Sequence, residues 1–180
     1  MDNIVIYSKD NMIGKDLFNQ LFSLLEISFP TSERRTYSGH LSEFDAPEFH
    51  SLCYMPDDLR AVLNYWDLGE FIYIEHFAVA PELRGQGTGS LLMHELRSVV
   101  GERPLVLEAE PLTDSSIAAR RIAFYQRLGF EYNEYDYIQP PLIEGESPIP
   151  LKIMSAPDRL SEDEYIRVRD RLYRDVYKSI

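Results

Sequence analysis

Leu17, Leu21, Leu24 and Leu25 recur at intervals of three and four, which predicts an amphipathic helix over residues 16–27 that stops before Pro30. The apolar run Ile4-Val5-Ile6 before it predicts a strand over residues 3–7. Residues 31–47, with Glu33-Arg34-Arg35, Gly39 and Pro47, read as a helix-and-loop connector. Strand-like runs follow at 49–55, 61–66 and 71–79. Pro56-Asp57-Asp58 and Asp67-Leu68-Gly69 separate them with turn chemistry, so the three predict an antiparallel meander.

After Pro81 the period changes. A glycine cluster leads into a predicted helix over 90–100, with Leu92, Leu96 and Val99 at helical spacing and Gly101 as its stop. Residues 105–109 suit a buried strand, and 115–128 predict a helix with Ile117, Phe124 and Leu128 on one face and Gly129 at its end. Late strands are expected at 131–138 and 149–154. A final helix opens at Ser161 with Glu164 three residues on, the signature of a capping box. Its face of Tyr165, Val168, Leu172 and Val176 is expected to pack on the domain or on the second subunit of a homodimer.

This alternation predicts an α/β (α+β) fold: a mixed, mostly antiparallel sheet of about seven strands flanked by helices. A length of 180 residues suits one domain over 1–180, with 155–180 as a C-terminal helical extension. The formal charge of −12 argues against nucleic acid as a partner, because a polyanion would be repelled. It suits solubility first and attraction of a cationic molecule second. Cys53 is the single cysteine, which excludes an internal disulfide and reads as a small buried hydrophobe. Neither a secretory leader pattern in the first residues nor a membrane-spanning run is evident, so a cytoplasmic protein without a membrane partner is expected.

The chemistry concentrates where strand 71–79 meets the glycines. Arg84-Gly85-Gln86-Gly87-Thr88-Gly89-Ser90 is a turn opening a helix, and glycines without Cβ let amides converge on an anion at the helix N-terminus. A pyrophosphate suits such a turn. The Walker A pattern requires a Lys that is missing after Gly89, and the dinucleotide fingerprint requires Gly where Ser90 stands. Arg84, Gly87 and Gly89 instead fit the spacing of the acetyl-CoA turn of the GNAT N-acetyltransferases. Phe124-Tyr125 followed by Gly129-Phe130 resembles that superfamily's later motif. Together the two motifs resemble the GNAT superfamily over residues 60–138, and only the order of elements agrees before that.

The resemblance implies a GNAT fold and direct transfer of an acetyl group from acetyl-CoA to a primary amine. A small-molecule acceptor is expected, with a peptide as the nearest variant. It also implies a donor site in which the amides of residues 84–90 hold the pyrophosphate and the strand edge at Phe77, Ala78 and Val79 pairs with the pantetheine arm. Tyr125 stands at the family's general-acid position, and Ala118 replaces an Asn common among relatives, with Ser115 or Ser116 as its substitute. No metal is expected, since no His, Cys, Asp or Glu grouping has ligand spacing. A non-catalytic acyl-CoA-binding sensor is the competing reading.

Glu75 is singled out by its own setting. It interrupts an apolar strand, where a carboxylate is unfavourable unless satisfied or used. It reads as a general base or substrate-binding group, or else as a structural carboxylate. Strict alternation puts Tyr73, Glu75 and Phe77 on one face and His76 on the other, unless a bulge near Phe77 intervenes. His76 reads as a satisfied core histidine. Glu108 or Glu110 could line the acceptor site, with Tyr135 and Tyr137 as a wall.

Overall fold

The computed structural model describes residues 3–112 and 116–179. The chain forms two compact units, Met1–Arg103 and Pro104–Ile180. Among the described residues, eight strands and five α-helices make up a mixed α/β fold, and every strand pairing with a described register is antiparallel.

The first unit is built on the meander β1 (Ile4–Ser8), β2 (Phe49–Tyr54), β3 (Ala61–Asp67) and β4 (Ile72–Val79), paired in that order. Helix α1 (Lys15–Ser28) buries Phe18, Leu21, Phe22, Leu24 and Leu25. The buried stripe therefore runs through the two phenylalanines, and Leu17 stays half-exposed. The connector contains a 3₁₀ turn at Thr31–Glu33 and a short helix, α2 (Tyr37–Glu43). Thr36 caps α2 by accepting a hydrogen bond from the Gly39 amide at 3.1 Å.

The meander has one irregularity. Asn64 pairs with His76 and Tyr65 with Ile74, so Glu75 is the extra residue of a β-bulge. Helix α3 (Thr88–Val100) follows β4 and the glycine turn, beginning two residues earlier than its apolar spacing predicts. It buries Leu92, Met93, Leu96 and Val100.

In the second unit β5 (Leu105–Ala109) pairs with β8 (Ile149–Ala156). The strand expected at 131–138 is two segments, β6 (Glu131–Tyr132) and β7 (Tyr137–Gln139), both laddered on β8 with a shifted register. Side chains hold the interruption open. Asn133 Nδ2 donates to the Ile153 carbonyl at 3.1 Å and to Ser155 Oγ at 2.9 Å, while Lys152 Nζ donates to the carbonyls of Glu134 and Tyr135 at 2.7 and 3.2 Å.

Helix α4 (Ser116–Arg127) buries Ala118 and Ile122, whereas Ile117 is 54% exposed, so its buried face is rotated from the expected one. The start expected at Ser115 lies outside the described residues. Helix α5 (Glu162–Arg171) opens with the expected capping box and continues into one π-helical turn, Leu172–Val176. Its buried face of Tyr165, Val168, Leu172 and Val176 packs within this unit: Tyr165 stacks on Tyr135 at 4.5 Å and donates its O–H to the Asp136 carbonyl at 2.6 Å.

Candidate active site

The glycine turn has the geometry of an anion cradle. Gly85 and Gly87 hold φ of +76° and +87°, the left-handed region that disfavours any side chain. A Cβ at either position would meet nothing within 4 Å, so both face open space. Gly87 is the N-cap of α3 and offers no capping side chain. The amides of Thr88, Gly89 and Ser90 in the first turn therefore keep no partner one turn back, and the helix dipole adds to their pull on an anion.

The two long side chains of the turn, Arg84 and Gln86, bond back to the chain. Arg84 folds back, donating from Nε to the Val79 carbonyl at 2.9 Å, with Nη2 3.5 Å from Ser28 Oγ. Gln86 donates to the Glu82 carbonyl at 2.6 Å, and Glu82 pairs with Arg60 at 2.9 Å. Arg84 thus braces the turn against the end of β4, where Phe77 and Val79 are half-buried and Ala78 is buried against β3.

A second feature sits earlier on β4, at the bulge. The Glu75 side chain is 2% exposed, and each of its oxygens has a donor. Arg35 Nη2 lies 3.1 Å from Oε1, and Trp66 Nε1 donates to Oε2 at 2.9 Å. Burial alone would raise the Glu75 pKa; Arg35, His76, His40 and the Trp66 N–H outweigh it and hold the carboxyl at about 2. Glu75 is therefore a durable anion.

The network extends behind it. Arg35 Nε makes a second ion pair with Glu43 Oε1, and the other oxygen of Glu43 lies 2.6 Å from His40 Nδ1. His40 Nε2 is 3.1 Å from Asn64 Nδ2, and Ser51 Oγ donates to Asn64 Oδ1 at 2.7 Å. Burial, reinforced by the Glu75 charge, pushes Glu43 well above the usual carboxylate range, and burial lowers His40 to about 4. His76 is buried, with its pKa lowered chiefly by that burial; its Nε2 lies 3.0 Å from the Glu33 carbonyl and its ring 5.6 Å from that of His40. The bulge thus turns both Glu75 and His76 toward this cluster, where strict alternation would have separated them.

In the second unit Tyr125 lies near the end of α4, half-buried, with its ring 5.3 Å from Phe124 and edge-on to Phe130 at 5.7 Å. Gly129 takes φ +86°, which lets the Phe130 amide turn back to the Tyr125 carbonyl at 3.1 Å. Burial raises the Tyr125 pKa to about 12, so its O–H stays protonated at neutral pH. Ala118 is buried on the same helix, and Ser115 lies outside the described residues.

Of the candidate acceptor-side groups, Glu108 accepts hydrogen bonds from the O–H of Tyr137 and of Tyr177, the latter at 2.7–2.8 Å. Glu110 pairs with Arg121 at 3.3 Å on the surface. Tyr135 stacks on Tyr165 of α5 at 4.5 Å, and Tyr137 meets Tyr173 of the π-helical turn at 5.8 Å. Sequence reasoning missed Arg35, His40, Glu43, Trp66 and Tyr177. The Glu33-Arg34-Arg35 charge cluster is the one visible signal, and its spacing does not point to Glu75. Among the described residues no group of three His, Cys, Asp or Glu could hold a metal, and no helix is long and apolar enough to cross a membrane.

Comparison with known proteins converges on one family. The acetyltransferase (GNAT) domain matches residues 54–132. A structure from Bacteroides thetaiotaomicron, described as an inferred acetyltransferase of the GNAT family, is 35% identical, with a TM-score of 0.83 over 98% of this chain and 99% of that one. YjbC of Bacillus subtilis (strain 168), likewise an inferred acetyltransferase, is 26% identical over 83% of this chain and 77% of its own length. An aminoglycoside 6'-N-acetyltransferase complexed with coenzyme A is 16% identical, with a TM-score of 0.65 over 88% of this chain and 99% of that one.

Proposed function

The chain belongs to the GNAT family of N-acetyltransferases, and on that premise we propose that it moves an acetyl group from acetyl-CoA directly to a primary amine of a small molecule. One observation carries the reading: a helix N-terminus without a side-chain cap, entered through two left-handed glycines that face open space. Acetyl-CoA supplies the acetyl thioester and its thiol. The chain supplies the amides of residues 84–90 for the pyrophosphate and the β4 edge at Phe77, Ala78 and Val79 for the pantetheine arm.

Tyr125 holds a proton on its Oη at neutral pH and is the group assigned to donate it to the departing sulfur. Glu75 is assigned to the acceptor side. A lysine-like amine near 10.4 and a carboxyl at about 2 differ by roughly 8 pK units, so full proton transfer between them costs on the order of 11 kcal/mol. That mismatch favours Glu75 as the anion that attracts and orients the ammonium over Glu75 as the final store of its proton. The charge of −12 adds long-range attraction for a cation. Direct transfer calls for no metal, and we place the enzyme in the cytoplasm, where the lone buried Cys53 stays reduced.

Thiol release from acetyl-CoA, followed across a panel of small amines and short peptides, tests the reading. Turnover with a small amine is expected. Tight CoA binding in calorimetry without thiol release from any acceptor would overturn it.

A further inference from the structure

Two carboxylates share one guanidinium in a nearly dry setting: side-chain exposures are 15% for Arg35, 5% for Glu43, 2% for Glu75 and 1% for His40. If both carboxylates were ionised beside a neutral histidine, the group would carry a net charge of −1 that little solvent could screen. His40 Nε2 accepts from Asn64, so its Nδ1–H already fills the 2.6 Å gap to Glu43, and one further proton, on Glu43 and directed to Glu75, makes the group neutral. Arg35 lies between the Glu43–His40 pair and Glu75, with Nε toward Glu43 and Nη2 toward Glu75. We propose that Glu43 is a positioning residue for Glu75: by keeping or releasing its own proton, it decides how much of Arg35 Glu75 receives, and so sets the charge strength of Glu75 toward the acceptor amine.

The charge balance gives the direction. With the proton in place Glu43 draws little on Arg35, and Glu75 keeps the guanidinium. When the proton leaves, Glu43 becomes an unscreened anion beside Glu75 and a rival for Arg35, so Glu75 gains proton affinity as pH rises. The titratable and charged groups facing the pair are Arg35, and Glu75 and His76 from β4. From the other elements come Phe18 of α1, Ser51 of β2, and Asn64 and Trp66 of β3, none of which titrates near neutrality. The proposal rests on the acceptor-side reading of Glu75 for its catalytic consequence, though not for the coupling itself.

The fold supplies its own reporter. Trp66 is the only tryptophan in the chain, is 4% exposed, and donates its indole N–H to Glu75. Its emission in the intact chain should change over the pH range in which Glu43 releases its proton. Glu43→Gln, neutral at every pH, should abolish that transition and hold emission at the low-pH value of the wild type. It should also remove one limb of the kcat/KM profile. Identical titrations in wild type and variant would overturn the proposal. Should Glu43→Gln fail to fold by circular dichroism, Arg35→Lys replaces it: a point charge cannot bridge both carboxylates as a fork does, and the midpoint should move by about one pH unit or more. An unmoved midpoint would equally overturn the coupling. Failure of the acceptor-side reading is distinguishable, because it shows as full turnover in Glu75→Gln whatever the fluorescence titration does.

Discussion

Arg35 and Glu75 lie forty residues apart in the chain and 3.1 Å apart in the fold, joining a connector without family motifs to the bulge of β4. The contact explains how a carboxylate survives in an apolar strand. Its desolvation is offset by a guanidinium and an indole N–H, leaving an anion whose position is fixed.

Glu75→Gln should lower kcat/KM for the amine by about 10²-fold if the carboxylate orients the acceptor, with CoA affinity little changed. Steady-state kinetics together with calorimetry check this. A loss confined to thermal stability would return Glu75 to a structural role.

The same substitution has a signature in acid. The Glu75 carboxyl, near 4.5 unfolded, is held at about 2 in the fold, so its stabilisation is fully present above the unfolded value. It is lost as pH falls through the folded value, over a window from about 4.5 to about 2. The slope of stability against pH in that window should be shallower in Glu75→Gln than in wild type. Urea unfolding at successive pH values measures it.

Gly87→Ala should weaken CoA binding by more than its stability loss explains. A side chain at φ +87° costs roughly 1–2 kcal/mol, and it also enters the open space before the α3 amides. Gly101→Ala, at φ +69° beyond the other end of α3, serves as control. It should lower the melting temperature while leaving CoA affinity intact, and equal affinity losses in both variants would count against the cradle.

Tyr125→Phe should reduce turnover by about 10–10²-fold with nearly unchanged CoA affinity. Because burial holds the hydroxyl at about 12, wild-type activity should show no loss attributable to Tyr125 up to about pH 10. A variant as fast as wild type would remove Tyr125 from the acid role.

Tyr177→Phe removes an O–H bonded to Glu108, and bonds to charged groups contribute about 1.5–3 kcal/mol. A lowered unfolding midpoint with an unchanged denaturant slope is expected.

Legibility in the sequence follows the range of the interactions. The glycine turn and the Ser161–Glu164 capping box depend on neighbours a few residues away, and β2, β3 and β4 follow one another through short turns, so each is readable from its own residues. The bulge at Glu75 is not, because an extra residue in one strand is visible only against its partner β3. Nor is the break between β6 and β7, which Asn133 and Lys152 hold open from across the ladder. Glu108 meets Tyr177 across sixty-nine positions, and no local pattern encodes such a pairing.

The fold-back of Arg84 onto the Val79 carbonyl has a consequence for salt. The guanidinium keeps its charge there but is the single cation of residues 84–90, so the turn offers an anion chiefly dipoles, on a molecule of net charge −12. Dipoles act at contact and are barely screened, whereas the repulsion between a polyanionic donor and an acidic protein acts over a Debye length and is screened strongly. Added salt should then speed capture of the donor, the reverse of the ionic-strength response of a site lined with lysine and arginine.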